Sequence, residues 1–200
     1  MGGYPMSDVT EVAGIVLDDP LRRRIVTTVE QLGLPDCWIA AGFVRNAVWD
    51  HLHGYDTAAP VNDIDVVYFD TTDSAGGGGG RAAERTAEIR LAEWFPGLPF
   101  SVKNQARMHL RNGHDPYRST ADAVSWWPET CTAVGIANVN KPRILAPYGL
   151  SDLLRLVVRP TSGDPETTHL VRRRTLEKQW LQRWPKLTVE TASADRPYPH

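Results

Sequence analysis

Two aspartates stand two residues apart in Asn62-Asp63-Ile64-Asp65-Val66-Val67-Tyr68-Phe69-Asp70. Read as a strand, this segment sends alternate residues to opposite faces. Asp63 and Asp65 then project together, with Cα atoms roughly 7 Å apart at about 3.4 Å of rise per residue. Ile64, Val66 and Tyr68 turn the other way, toward a core. Converging carboxylates are the donors that Mg²⁺ (or Mn²⁺) takes, commonly shared with the phosphates of a substrate. A complementary stretch lies upstream, Trp38-Ile39-Ala40-Ala41-Gly42-Phe43-Val44-Arg45-Asn46-Ala47-Val48-Trp49-Asp50. It reads as a short buried strand, a glycine turn and a helix. A residue without Cβ at Gly42 lets backbone N–H groups approach a phosphate. The helix adds its positive N-terminal end, with Arg45 and Asn46 in the first turn. Phosphate turn and paired acids together predict a triphosphate bound beside a metal ion.

These residues also carry a resemblance. Gly42-Phe43-Val44-Arg45-Asn46, Leu52-His53-Gly54 and Asp63-Ile64-Asp65-Val66 resemble the head motif of DNA polymerase β-like nucleotidyltransferases, closest to the Gly-Gly-x-Val-Arg-Asp … Asp-x-Asp form of CCA-adding enzymes and poly(A) polymerases. Phe43 is read as replacing the second glycine, and Asn46 the aspartate. The chain from about Asp19 to Val189 is more similar still to a bacterial family of small nucleotidyltransferase-like proteins. Ser101 to His109, Tyr117-Arg118-Ser119-Thr120 and Trp127-Pro128-Glu129-Thr130 carry that likeness. The resemblance implies an α/β (α+β) fold: a mixed sheet flanked by helices, with a helical C-terminal extension. It implies Asp63 and Asp65 as catalytic metal ligands. Nucleotide contacts are expected from Gly42, Phe43, Arg45 and Asn46 at the turn, and from Lys103 and Asn104 at the end of a later strand. Such enzymes usually draw a third carboxylate from that later strand, where this chain has Ser101. Glu129 is a distant candidate for the missing acid.

The elements that must position these groups follow from the remaining pattern. Strands are expected at 37–41, 64–69 and 98–103, lying side by side. Asp19-Pro20 starts a helix with Leu21, Ile25, Val29 and Leu32 at helical spacing. Ala83, Ala87, Leu91, Trp94 and Phe95 mark another before Pro96-Gly97. Thr132 to Asn138 and Arg143 to Ala146 read as a hairpin, and Leu170, Leu176, Trp180 and Trp184 as a last helix. The expected organisation is a core over 19–147, a helical extension over 148–189, and loosely ordered tails over 1–18 and 190–200. Five consecutive glycines at 76–80 read as a connector, since no Gly-Lys-Ser/Thr follows them.

Composition limits the function. A net charge of −2 over 200 residues does not suit a polyanion-coating surface. Arg22-Arg23-Arg24 and Arg172-Arg173-Arg174 read as solvated helix faces. Cys37 and Cys131 are too few for a disulfide framework and lack metal-ligand spacing. No apolar run reaches the length of a membrane span, so no membrane partner and a cytoplasmic location are expected. The sequence therefore predicts a metal-dependent transferase that moves a nucleoside monophosphate from a nucleoside triphosphate to a hydroxyl acceptor, releasing pyrophosphate. The acceptor is unidentified, a small molecule or protein being favoured over RNA. The alternative is a nucleotide-binding protein, or pseudoenzyme, whose metal site is incomplete at Ser101.

Overall fold

The computed structural model describes residues 6–55, 61, 63–72 and 81–191. Residues 56–60, Asn62, the glycine run and the outer parts of the expected tails, 1–5 and 192–200, lie outside the described residues. Helices α1 (Met6–Asp18), α2 (Pro20–Glu30) and α3 (Gly42–His53) bracket strand β1 (Trp38–Ala40). Strand β2 (Ile64–Tyr68), helix α4 (Ala82–Trp94) and strand β3 (Phe100–Asn104) follow. Two short helices, α5 (Met108–Asn112) and α6 (Thr120–Val124), lead to the hairpin β4 (Gly135–Ala137) and β5 (Arg143–Leu145). The chain ends with α7 (Ser151–Leu154), β6 (Val157–Val158), α8 (Pro165–Glu177), α9 (Trp180–Arg183) and β7 (Thr188–Val189).

Five strands form one mixed sheet in the order β3-β2-β1-β4-β5. The three strands expected to neighbour one another do so. The β2–β3 pair is parallel, which requires a crossover and accounts for α4 between them; the other pairs are antiparallel. One face, carrying Ile39, Ile64, Val66, Tyr68, Val102 and Ile136, packs against the helices in the main core. The other carries Trp38, Ala40 and Val67 and is covered by a smaller cluster that includes Val124. Alternation puts Asp65 on this second face, next to Val67.

Several expectations are corrected. Residues 6–18 are not a loose tail: Val12, Ala13, Val16 and Leu17 bury one side of α1 in the main core. Arg22 is not solvated. It is 4% exposed, donates to the Phe43 carbonyl at 2.5 Å and stacks on the Phe43 ring. The C-terminal region contributes strands as well as helices, and Val158, Val171, Trp180, Trp184 and Leu187 join the core shared with Ile39 and Val48. Its last helix is two helices, because Gln179 takes a left-handed conformation at φ 52° and breaks the pattern. Leu176, expected inside, is 74% exposed.

The turn into α3 is strained. Ala41, the residue before Gly42, has φ 54° and ψ −124° and offers no side-chain cap. A Cβ is unfavourable in that region, so Ala41 occupies the position in the turn that most calls for glycine. Phe43 lies past the turn, within the helix and 1% exposed, so the reading that it replaces a turn glycine is corrected to Ala41. Relief of about 1–3 kcal/mol of strain, offset by about 0.4–1 kcal/mol of unfolded-chain entropy, predicts that Ala41→Gly stabilises the protein. Urea unfolding should show the gain; a variant of lower stability would contradict a strained Ala41.

Candidate active site

The C-terminal end of β1, the N-terminus of α3 and the start of β2 meet because β1 and β2 pair with Ala40 opposite Asp65. They open on a cavity of about 280 Å³ lined by Gly42, Arg45, Asn46, Asp63 and Asp65, together with Thr132, Arg174, Lys178 and Arg183. Three of the expected nucleotide-contact residues, Gly42, Arg45 and Asn46, thus surround the same space as both acids. A Cβ on Gly42 would sit 3.4 Å from Asn46 Nδ2 and 3.6 Å from Arg45 Nη2. The missing side chain keeps the space before both groups clear.

The two acids differ. Asp65 belongs to β2 and is partly buried, whereas Asp63 is exposed, precedes the strand and has φ 72°. They share the cavity, but not by regular strand alternation. Burial first, and the Asp63 charge second, push the Asp65 carboxyl up from 3.8 to about 6. Lys178, Arg45 and Lys103 pull it back in part. Ser101 is the in-register β3 neighbour of Asp65, so the lateral position beside the acid holds a hydroxyl. Glu129 does not take its place: it is fully buried and accepts a 2.6 Å bond from Arg174 Nε.

Arg45 is the most constrained group in the cavity wall. Its guanidinium lies 5.0 Å from the Trp49 ring centre and 4.4 Å from that of Trp180. It donates to Thr132 Oγ1 at 2.7 Å and to Asn46 Oδ1. Burial lowers its pKa, and the Glu129 and Asp63 charges oppose that shift.

Two expected nucleotide contacts are placed elsewhere. The Phe43 ring belongs to the main core. Asn104 is fully buried, and its amide is consumed by the backbone of Asp70 and the N–H of Ala106. Lys103 is displaced to a second cavity and pairs with Glu88 at 3.2 Å. The sequence reading missed Thr132, Arg174, Lys178 and Arg183. Arg174 and Lys178, four residues apart, share one side of α8's end, a signal hidden inside a run read as solvated.

A family model for nucleotidyltransferases matches residues 27–189. The chain belongs to this nucleotidyltransferase family. A solved NMR structure reported to reveal a CCA-adding enzyme head domain is 33% identical, with a TM-score of 0.76, over 92% of this chain and 96% of that one. An apo CCA-adding enzyme superposes with a TM-score of 0.53 at 15% identity, over 88% of this chain and 42% of that one, a likeness of fold alone. No curated protein matches the sequence. Among the described residues no helix is long and apolar enough to cross a membrane.

The raised carboxyl makes the stability of this family member depend on pH. Between about 4 and about 6 the folded chain holds a proton on Asp65 that the unfolded chain has released. Stability therefore falls as pH rises through that window, and the full penalty is present above it. Asp65→Asn should stabilise the protein at neutral pH by on the order of 1–3 kcal/mol, and by much less below about pH 4. Chemical unfolding at both pH values checks this. An equal effect at both would mean Asp65 carries no such penalty.

Proposed function

We propose that the protein transfers a nucleoside monophosphate from a nucleoside triphosphate to a hydroxyl acceptor and releases pyrophosphate, with Asp63 and Asp65 holding Mg²⁺ (or Mn²⁺). The observation that carries this reading is a single cavity in which two carboxylates face Arg45, Arg174, Lys178 and Arg183 across the opening of α3. An acid whose charge is disfavoured by burial and by a second acid suits a cation. Among the described residues no cluster of three or more His, Cys, Asp or Glu could enclose a metal. That donor set fits a hard cation taking one or two carboxylates and completing its shell with substrate phosphates.

A bound divalent ion would supply neutralisation of phosphate charge and polarisation of the α-phosphoryl group. The chain's own residues do the rest. Lys178 offers positive charge to the β- and γ-phosphates, Arg183 adds to it from its pairing with Asp50 at 3.3 Å, and the first turn of α3 offers N–H donors. Arg45, fixed by two indoles and Thr132, presents its charge without reorganising, which is the condition for electrostatic catalysis. Buried Trp180 and Trp184 line the same cavity and limit water there.

Ser101 favours a second reading, a nucleotide-binding protein without transfer activity, because the position beside Asp65 supplies no third carboxylate. Pyrophosphate release separates the two. With Mg²⁺ and each of the four common ribonucleoside triphosphates, in the presence of cell extract, wild-type protein should release pyrophosphate. Asp65→Asn should lower the rate by on the order of 10²–10³. Triphosphate binding without release would establish the second reading.

A further inference from the structure

A second cavity of about 260 Å³ adjoins the first. The two share Ala41, Asp65, Thr132 and Arg174 as a common wall. From that wall they run apart: the first toward the start of α3 and the C-terminal helices, the second over β2 and β3 toward Trp127. The second is lined by Val67, Met108, Trp127 and Pro128 on its apolar side, with Lys103 and Gln105 as its other polar groups. None of its apolar residues is needed to bind a phosphate.

We infer that this second cavity is the acceptor site, and that it takes a small hydroxylated molecule with an apolar face rather than the 3′ end of an RNA. The inference rests on the nucleotidyl-transfer reading above. In phosphoryl transfer the attacking and leaving oxygens lie roughly in line through phosphorus. The cations and helix end of the first cavity fix the leaving pyrophosphate there. The attacking hydroxyl must then arrive from across Asp65, where the second cavity lies. Its oxygen bonds to the α-phosphorus and the bond to the bridging oxygen of the β-phosphate breaks. Pyrophosphate leaves with that electron pair, and the hydroxyl proton passes to water.

Charge specifies the class. An RNA end would need cations free to neutralise its phosphates. The two cations lining this cavity are already engaged, Lys103 with Glu88 at 3.2 Å and Arg174 with Glu129 at 2.6 Å. Trp127 and Met108 supply surface for C–H groups, and Gln105 supplies a carbonyl and an amide to read hydroxyls.

The test uses wild-type protein, Met108→Trp, which fills the cavity, and Trp127→Ala, which strips its wall. Each is incubated with Mg²⁺, α-labelled triphosphates and a cell extract separated into low-mass filtrate, RNA and protein. Wild type should label a product in the low-mass filtrate. Both variants should lose that label at least tenfold while binding triphosphate within about twofold of wild type. Label in RNA or protein would overturn the inference, as would pyrophosphate formed with no labelled product in any fraction. Weakened triphosphate binding in folded variants would overturn it too, making the cavity a nucleobase pocket. Absence of any pyrophosphate release would instead remove the transfer reading, and the acceptor assignment with it.

Discussion

Trp49 meets Trp180 and Trp184 edge-on at 5.5 and 5.0 Å, while the adjacent Asp50 accepts a 2.8 Å bond from Trp184 Nε1. This contact fastens the C-terminal helices to α3. Aromatic pairs of this kind contribute about 0.5–1.5 kcal/mol each beyond their burial. Their consequence for the site is larger than their energy. The same docking closes Trp180 over the Arg45 guanidinium and brings Arg174, Lys178 and Arg183 to the cavity that holds the acids. Without it, Asp63 and Asp65 would face solvent across an incomplete wall.

The site is thereby a balance of opposed charges. Asp65 is disfavoured by burial and by Asp63, and is relieved only in part by Lys178 and Arg45. Arg45 is disfavoured by burial and relieved by hydrogen bonds and by Glu129. Neither side is fully compensated within the protein, so a ligand carrying both signs, a triphosphate with its cation, satisfies both at once. Arg174 links this chemistry to the second cavity, held in place from below by fully buried Glu129.

Much of the frame was legible in local sequence. The alternation of Ile64, Asp65 and Val66, the glycine at the strand-to-helix turn and the Asp19-Pro20 start of α2 each act over a few residues, and each appears where its local chemistry directs. The departures have longer reach. Motif spacing puts Phe43 at a turn glycine because spacing does not reveal which residue takes positive φ; the backbone assigns that to Ala41. Position alone makes Asn104 a ligand contact, but Asp70, 34 residues away, captures its amide. Arg22 and Arg174 sit in arginine runs whose members differ only in what distant elements they meet, Phe43 for one and Glu129 for the other. The helix over 6–18 lacked flanking signals, and its apolar side is explained by packing against α3 and the rest of the core.

The account stands on Asp65 and the basic wall forming one site for a metal-bound triphosphate. Calorimetric titration of a non-hydrolysable α,β-methylene triphosphate, with and without Mg²⁺, into wild type and Asp65→Asn tests this directly. Without Mg²⁺ the variant should bind the analogue more tightly than wild type, because one repelling charge is gone. With Mg²⁺ the order should reverse, since only wild type gains the metal-bridged contact. An equal Mg²⁺ dependence in both proteins would contradict the claim.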